Sequence, residues 1–146
     1  MRRIQKTQKK MREIKEIIIH CSATPEGKDF HVEDIDRWHK ERGWDGCGYH
    51  YVIALDGTVE VGRHEKEIGA HAQGHNQRSI GVCYIGGLAK DGKTAKDTRT
   101  EAQKRAMLNL VSMLKAKYPN VDVYGHNEVA HKDCPCFPAR KEYRDA

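Results

Sequence analysis

The pattern of apolar and polar positions divides the chain into a short series of strands and two helices. Residues 16–20 contain the β-branched run Ile17-Ile18-Ile19 and end on His20, as expected of a strand buried on both faces of an α/β sheet. Residues 21–30 read as loop, with Pro25 and Gly27 as breakers. Over residues 31–42, Val32, Ile35, Trp38 and His39 recur at helical spacing. Glu33, Asp34 and Asp36 near the start and Lys40 and Arg42 near the end complement the helix dipole, and Gly43 is the expected left-handed cap. Residues 49–55 and 58–62 are strand-like and are separated by Asp56-Gly57, the signature of a two-residue hairpin turn.

Residues 63–78, rich in Gly, His and Asn, look too polar for core, and a connection of that length in a compact domain is often functional. Residues 79–85 predict a strand with Ile80, Val82 and Tyr84 on one face and Gly81, Cys83 and Ile85 on the other; Gly86-Gly87 ends it, and 88–99 reads as a polar loop. Thr100 and Gln103 form a capping box, after which Met107, Leu110, Val111, Leu114 and Tyr118 make one helical stripe, stopped at Pro119-Asn120. Residues 121–124 are a final strand that delivers His126. With no repeat and no linker, the expectation is a single α/β domain: a central mixed β-sheet with helices on its faces.

Composition changes this picture little. The chain of 146 residues, 38% hydrophobic and 32% charged, is long enough for its own core and unlike a disordered chain. The net charge of +5 matters more once located, because residues 1–15 hold seven bases against the single acid Glu13. The expected division is therefore a basic arm over 1–15 on a near-neutral domain over 16–146. This argues against a whole-domain nucleic-acid surface, which needs Lys and Arg spread over the folded face, and no nucleic-acid partner is expected. The arm reads as a solvated tail, with docking to an acidic protein partner or an anionic polymer as the alternative.

The longest apolar runs are only a few residues, which rules out a transmembrane helix. Lys9, Lys10, Arg12, Glu13 and Lys15 stand where a signal peptide would need an apolar stretch, so synthesis in the cytoplasm is expected. Five scattered cysteines, an odd number, read as free thiols and a candidate ligand, not a disulfide framework.

The candidate chemistry lies in residues 124–137, where His126, His131, Lys132, Cys134 and Cys136 crowd a loop after a short strand. If the strands ending at His20 and before His126 are neighbours, both imidazoles reach one sheet edge and Cys134 returns to them. Three such ligands would hold a zinc ion with a fourth position for water. His131 and Cys136 are competitors for the same role. Lys132, and Tyr49 beside Gly48, are candidates to steady the charge that develops on a carbonyl oxygen.

Several blocks go further. Ile17 through Thr24, Gly48-Tyr49-His50-Tyr51, Gly69-Ala70-His71-Ala72, Asn76 through Val82, and His126-Asn127-Glu128 through Pro135 occur in order. Together they resemble the zinc-dependent N-acetylmuramoyl-L-alanine amidases, both the phage lysozyme type and the peptidoglycan recognition proteins. The resemblance implies cleavage of the amide between N-acetylmuramic acid and the first L-alanine of the stem peptide, in peptidoglycan, by a monomer. It implies Zn2+ on His20, His126 and Cys134, catalytic help from Tyr49 and Lys132, and His71 and Asn76 beside the glycopeptide groove. The alternative is a non-catalytic peptidoglycan-binding module of the same fold, although such members lack a full ligand set. A phage lysis enzyme that waits in the cytoplasm and acts on the cell wall after membrane permeabilisation fits the expectation.

Overall fold

The computed structural model describes residues 12–146. Seven strands run in chain order: β1 (Glu16–Cys21), β2 (Thr24–Pro25), β3 (Tyr51–Ile53), β4 (Val59–Val61), β5 (Ser79–Tyr84), β6 (Gly87–Leu88) and β7 (Asp122–Gly125). The main sheet has the order β4-β3-β5-β1-β7. β1 pairs in parallel with β5 and β7, β3 in parallel with β5, and β3 with β4 antiparallel, so the sheet is mixed as expected. The small β2–β6 ladder was not expected from the sequence; a two-residue strand carries no readable period.

The helices are α1 (Val32–Glu41), α2 (Glu101–Lys117) and the short α3 (Ala139–Glu142). Thr100 caps α2 as predicted: its hydroxyl accepts from the Gln103 amide at 3.0 Å, and the Gln103 side chain accepts from the Thr100 amide at 2.9 Å. Gly43 has φ +88°, the left-handed turn that closes α1. The stripe of α2, Met107, Leu110, Val111 and Leu114, is buried against Ile17, Ile19, Ile80, Val82 and Tyr84. On the opposite face, Ile35 of α1 packs with Val52, Cys83 and Ile85, with Val32 and Trp38 at its margin. β5 therefore divides its side chains between the two faces as its alternation predicts.

Three expectations need correction. The hairpin loop has three residues: the Ala54 amide donates to Thr58 O at 2.9 Å, the Gly57 amide donates to Ala54 O, and Gly57 takes φ +90°. Gly57 thus sits at the left-handed position of a three-residue loop, a geometry that the same Asp-Gly pair also serves. The body begins before residue 16, because Ile14 is buried in the core and Arg12 donates to the carbonyls of Glu65, Asn76 and Ser79. A guanidinium with five donors can tie a loop to a strand, a use that its place in a charge run conceals. Residues 1–11, the rest of the arm, lie outside the described residues. Finally, the supposed polar loop contains buried Thr98 and Arg99. Arg99 is held by Asp97 and Glu142 and lies 3.3 Å from the Phe137 ring centroid, which ties α3 and the chain after Cys134 to the core.

Candidate metal centre

The site forms at the carboxyl ends of two adjacent parallel strands. His20 is the fifth residue of β1, and His126 follows directly on β7. Their ring centroids are 4.5 Å apart. The chain then turns back through Cys134, whose sulfur accepts from the Cys21 amide at 3.0 Å, while Tyr84 donates to Pro135 O at 2.7 Å and fixes the return. One nitrogen each from His20 and His126 and the sulfur of Cys134 lie within 4.8 Å of one another. Among the described residues this is the group of three that can hold a metal ion. His131 and Cys136 are not part of it: His131 is exposed, and Cys136 donates to Gly87 O at 3.3 Å.

The electrostatics suit a ligand role. Burial, helped by His71 and His126, holds His20 well below the usual imidazole value; burial and nearby Lys132 lower His126. Both rings are thus neutral near pH 7 and offer lone pairs. Two neutral nitrogens and one sulfur are a donor set that zinc accepts, so the residues present fit that ion.

His71 is the largest addition to the sequence reading. Its Nδ1 is 2.8 Å from His20 Nε2, and its Nε2 is 3.2 Å from Ser79 Oγ. The ring is thereby held from both sides while it also lines the groove. It lies over Gly81, where a Cβ would stand 2.6 Å from His71 Cγ, so the glycine makes room for the ring. Asn76, on the same groove wall, uses Oδ1 to accept from the amides of His71 and Ala72, both at 2.9 Å. The loop over 63–78 therefore lies on the sheet, and its polar groups are satisfied there; among the described residues no buried side-chain nitrogen or oxygen lacks a partner.

Tyr49 is irregular in backbone, two residues before β3, with its ring 5.0 Å from that of His20. The Gly48 amide donates to His39 Nδ1 at 2.8 Å, and Gly48 O accepts from Ala70 at 2.9 Å; a Cβ on Gly48 would collide with Ala70 O. Burial raises the Tyr49 phenol well above its ordinary value. Lys132 is exposed and lines the groove of about 490 Å³ together with Tyr49, His71, Asn76 and His126.

Comparisons with known proteins place the chain in a family. The family described as N-acetylmuramoyl-L-alanine amidase matches residues 10–137. The chain belongs to that family. It is 45% identical over 125 residues to an endolysin of Escherichia phage T7, covering 86% of this chain and 82% of the relative. The N-acetylmuramoyl-L-alanine amidase LysC from Clostridium intestinale superposes with a TM-score of 0.75 at 30% identity, over 89% of this chain and 81% of that one. Drosophila peptidoglycan recognition protein LB gives 0.75 at 28% identity, over 91% and 81%. As a family member with endolysin relatives, the amidase hydrolyses the amide bond between N-acetylmuramic acid and L-alanine in peptidoglycan, the chemistry of cell-wall lysis.

Proposed function

We propose that this hydrolysis takes place at a zinc ion held by His20, His126 and Cys134, with Tyr49 and Lys132 assisting at the reacting amide. The observation that supports the reading is the convergence of three ligand atoms within 4.8 Å from positions 20, 126 and 134 of the chain. Zinc bound there would lower the pKa of a water molecule and polarise the scissile carbonyl.

The chain's own residues supply the rest. His20 Nε2 is engaged by His71, and His20 Nδ1 has no protein hydrogen bond among the described residues, so Nδ1 is the nitrogen left for an ion. In that tautomer His20 Nε2–H donates to His71, and His71 Nε2–H donates to Ser79 Oγ, a relay that fixes the ring plane. The Tyr49 phenol, kept protonated by burial, serves as a hydrogen-bond donor and not as a base. Lys132, on the groove with His126, would offset the negative charge that develops on the carbonyl oxygen. Asn76 shapes the groove through the two amides it holds. Among the described residues no helix is long and apolar enough to cross a membrane. The same reading has the protein made in the cytoplasm and reaching the wall once the membrane is opened.

The test is product analysis on purified peptidoglycan. Mass spectrometry is expected to find stem peptides with a free L-alanine amino terminus, with release stopped by exhaustive chelation and restored by zinc. Release that survives chelation contradicts the zinc assignment.

A further inference from the structure

The segment between β4 and β5 brings His71 to His20, and what holds that segment in place lies in the chain before β1. Arg12 donates through Nε and Nη2 to Glu65 O at 3.0 and 2.7 Å, and through Nη1 to Asn76 O at 3.2 Å, Gln77 O at 3.3 Å and Ser79 O at 2.9 Å. One guanidinium thus grips both ends of the segment, and His71 lies between the gripped positions. The acceptors are neutral carbonyls, so what the side chain supplies is its rigid fork of five donors and not ion pairing.

Each end of the grip is itself fixed. The Glu65 carboxylate accepts from the Tyr51 and Tyr118 hydroxyls and meets Lys117 Nζ at 2.8 Å, which fastens it to β3 and to the end of α2. Ser79, buried at the start of β5, gives its carbonyl to Arg12, while its hydroxyl accepts from His71 Nε2 at 3.2 Å. Asn76 joins the two residues more closely: its carbonyl is held by Arg12, and its side-chain oxygen accepts from the His71 and Ala72 amides, both at 2.9 Å. Beneath the segment Arg12 rests against His50, whose Nε2–H donates to Glu67 O at 2.8 Å and whose Nδ1 accepts from the Gly81 amide at 3.0 Å. The His50 ring stands 5.9 Å from that of His71.

We infer that Arg12 is a positioning residue of the metal centre: by fixing Asn76 and Ser79 it sets where His71 stands, and through His71 it sets the ring of His20. The inference rests on the zinc site proposed above and adds to it a residue from the basic stretch before β1. A side chain that acts through His71 should matter less than His71 itself, so its removal is expected to cost about tenfold in zinc affinity, the low end of the range for a lost ligand-orienting partner.

Chelator competition on Arg12→Ala, His71→Ala and the double variant separates positioning from mere support of the fold, with Leu114→Ala as a variant that loses stability on the apolar face. Arg12→Ala is expected to bind zinc about tenfold more weakly than wild type, and Leu114→Ala as tightly as wild type. The double variant should bind no more weakly than His71→Ala, because the effect of Arg12 passes through His71. In the metal-free proteins, hydrogen exchange at the His71 and Ala72 amides should be faster in Arg12→Ala than in wild type. Arg12→Lys keeps the charge without the fork and should fall between the two; it carries the same comparisons if Arg12→Ala does not fold. Wild-type zinc affinity in the Arg12 variant, unchanged exchange at the two amides, or losses that add in full in the double variant overturns the inference. A wild-type protein that binds zinc no better than its Arg12 variants leaves the metal centre standing without this role for Arg12; one that binds no zinc removes both.

Discussion

The two faces of β1 are filled by different physics. Ile17, Ile19 and Cys21 point into the cluster closed by α2, where the partners are apolar and contact is non-directional. Glu16 and His20 point the other way, where polar side chains make directional contacts: Glu16 meets His75 at 2.9 Å, and His20 Nε2 meets His71 at 2.8 Å. The first face needs volume and the second needs geometry. Substitutions on the apolar face should therefore unfold the protein without redirecting its chemistry, and those on the polar face should disable the site while the fold survives.

The largest effect on stability belongs to the apolar face. Leu114, fully buried on α2, should cost about 2–5 kcal/mol when changed to Ala. Urea unfolding measures that loss, and turnover per folded molecule should stay near wild type. A Leu114→Ala protein of normal stability and poor turnover would break the contrast.

The polar face should show the reverse pattern. His71→Ala removes the group that orients His20, and loss of such a partner lowers metal affinity about 10–100-fold. Competition with a zinc chelator would measure it, with a smaller fall in stability than Leu114→Ala gives. Unchanged zinc affinity would show that the ring only fills space over Gly81.

The smallest effects come from acid. Burial holds His50 at about 4, below the ordinary 6.5, so only the unfolded chain takes up its proton between those values; its support is intact above 6.5 and fades as pH falls toward 4. Burial alone would raise Glu65, but hydrogen bonds from Lys117, Tyr118 and Tyr51 outweigh it and hold the carboxyl at about 2. Its contribution is present above 4.5 and is lost toward 2. Stability should fall in two stages on acidification, and Glu65→Gln should remove the second. A flat profile down to pH 3 would contradict both assignments.

The contrast also explains what could be read in the sequence. Periodicity reports burial, so Ile17-Ile18-Ile19, the β5 alternation and the α2 stripe were legible, and the capping box and the hairpin were legible from local chemistry. His20, His126 and Cys134 were named because ligand types at the ends of apolar runs leave a signal. His71 was placed only beside the groove, since its bond to His20 joins positions 51 residues apart and nothing local announces it. Gly81 reads as an ordinary strand glycine, and Gly48 only as the neighbour of Tyr49, until the atoms they make room for are known. Arg12 and Arg99 were hidden for a related reason: a buried arginine and a solvated one look alike until the carbonyls and carboxylates around them are assembled.

The central claim is that His20, His126 and Cys134 hold one zinc ion, and metal content tests it most directly. Protein purified with zinc present and then dialysed should retain about one zinc per chain, the stoichiometry of a three-ligand catalytic site. His20→Ala, His126→Ala and Cys134→Ser should each lose the metal and turnover together while keeping the circular dichroism of the folded sheet. A Cys134→Ser protein that keeps both its zinc and its turnover would contradict the account.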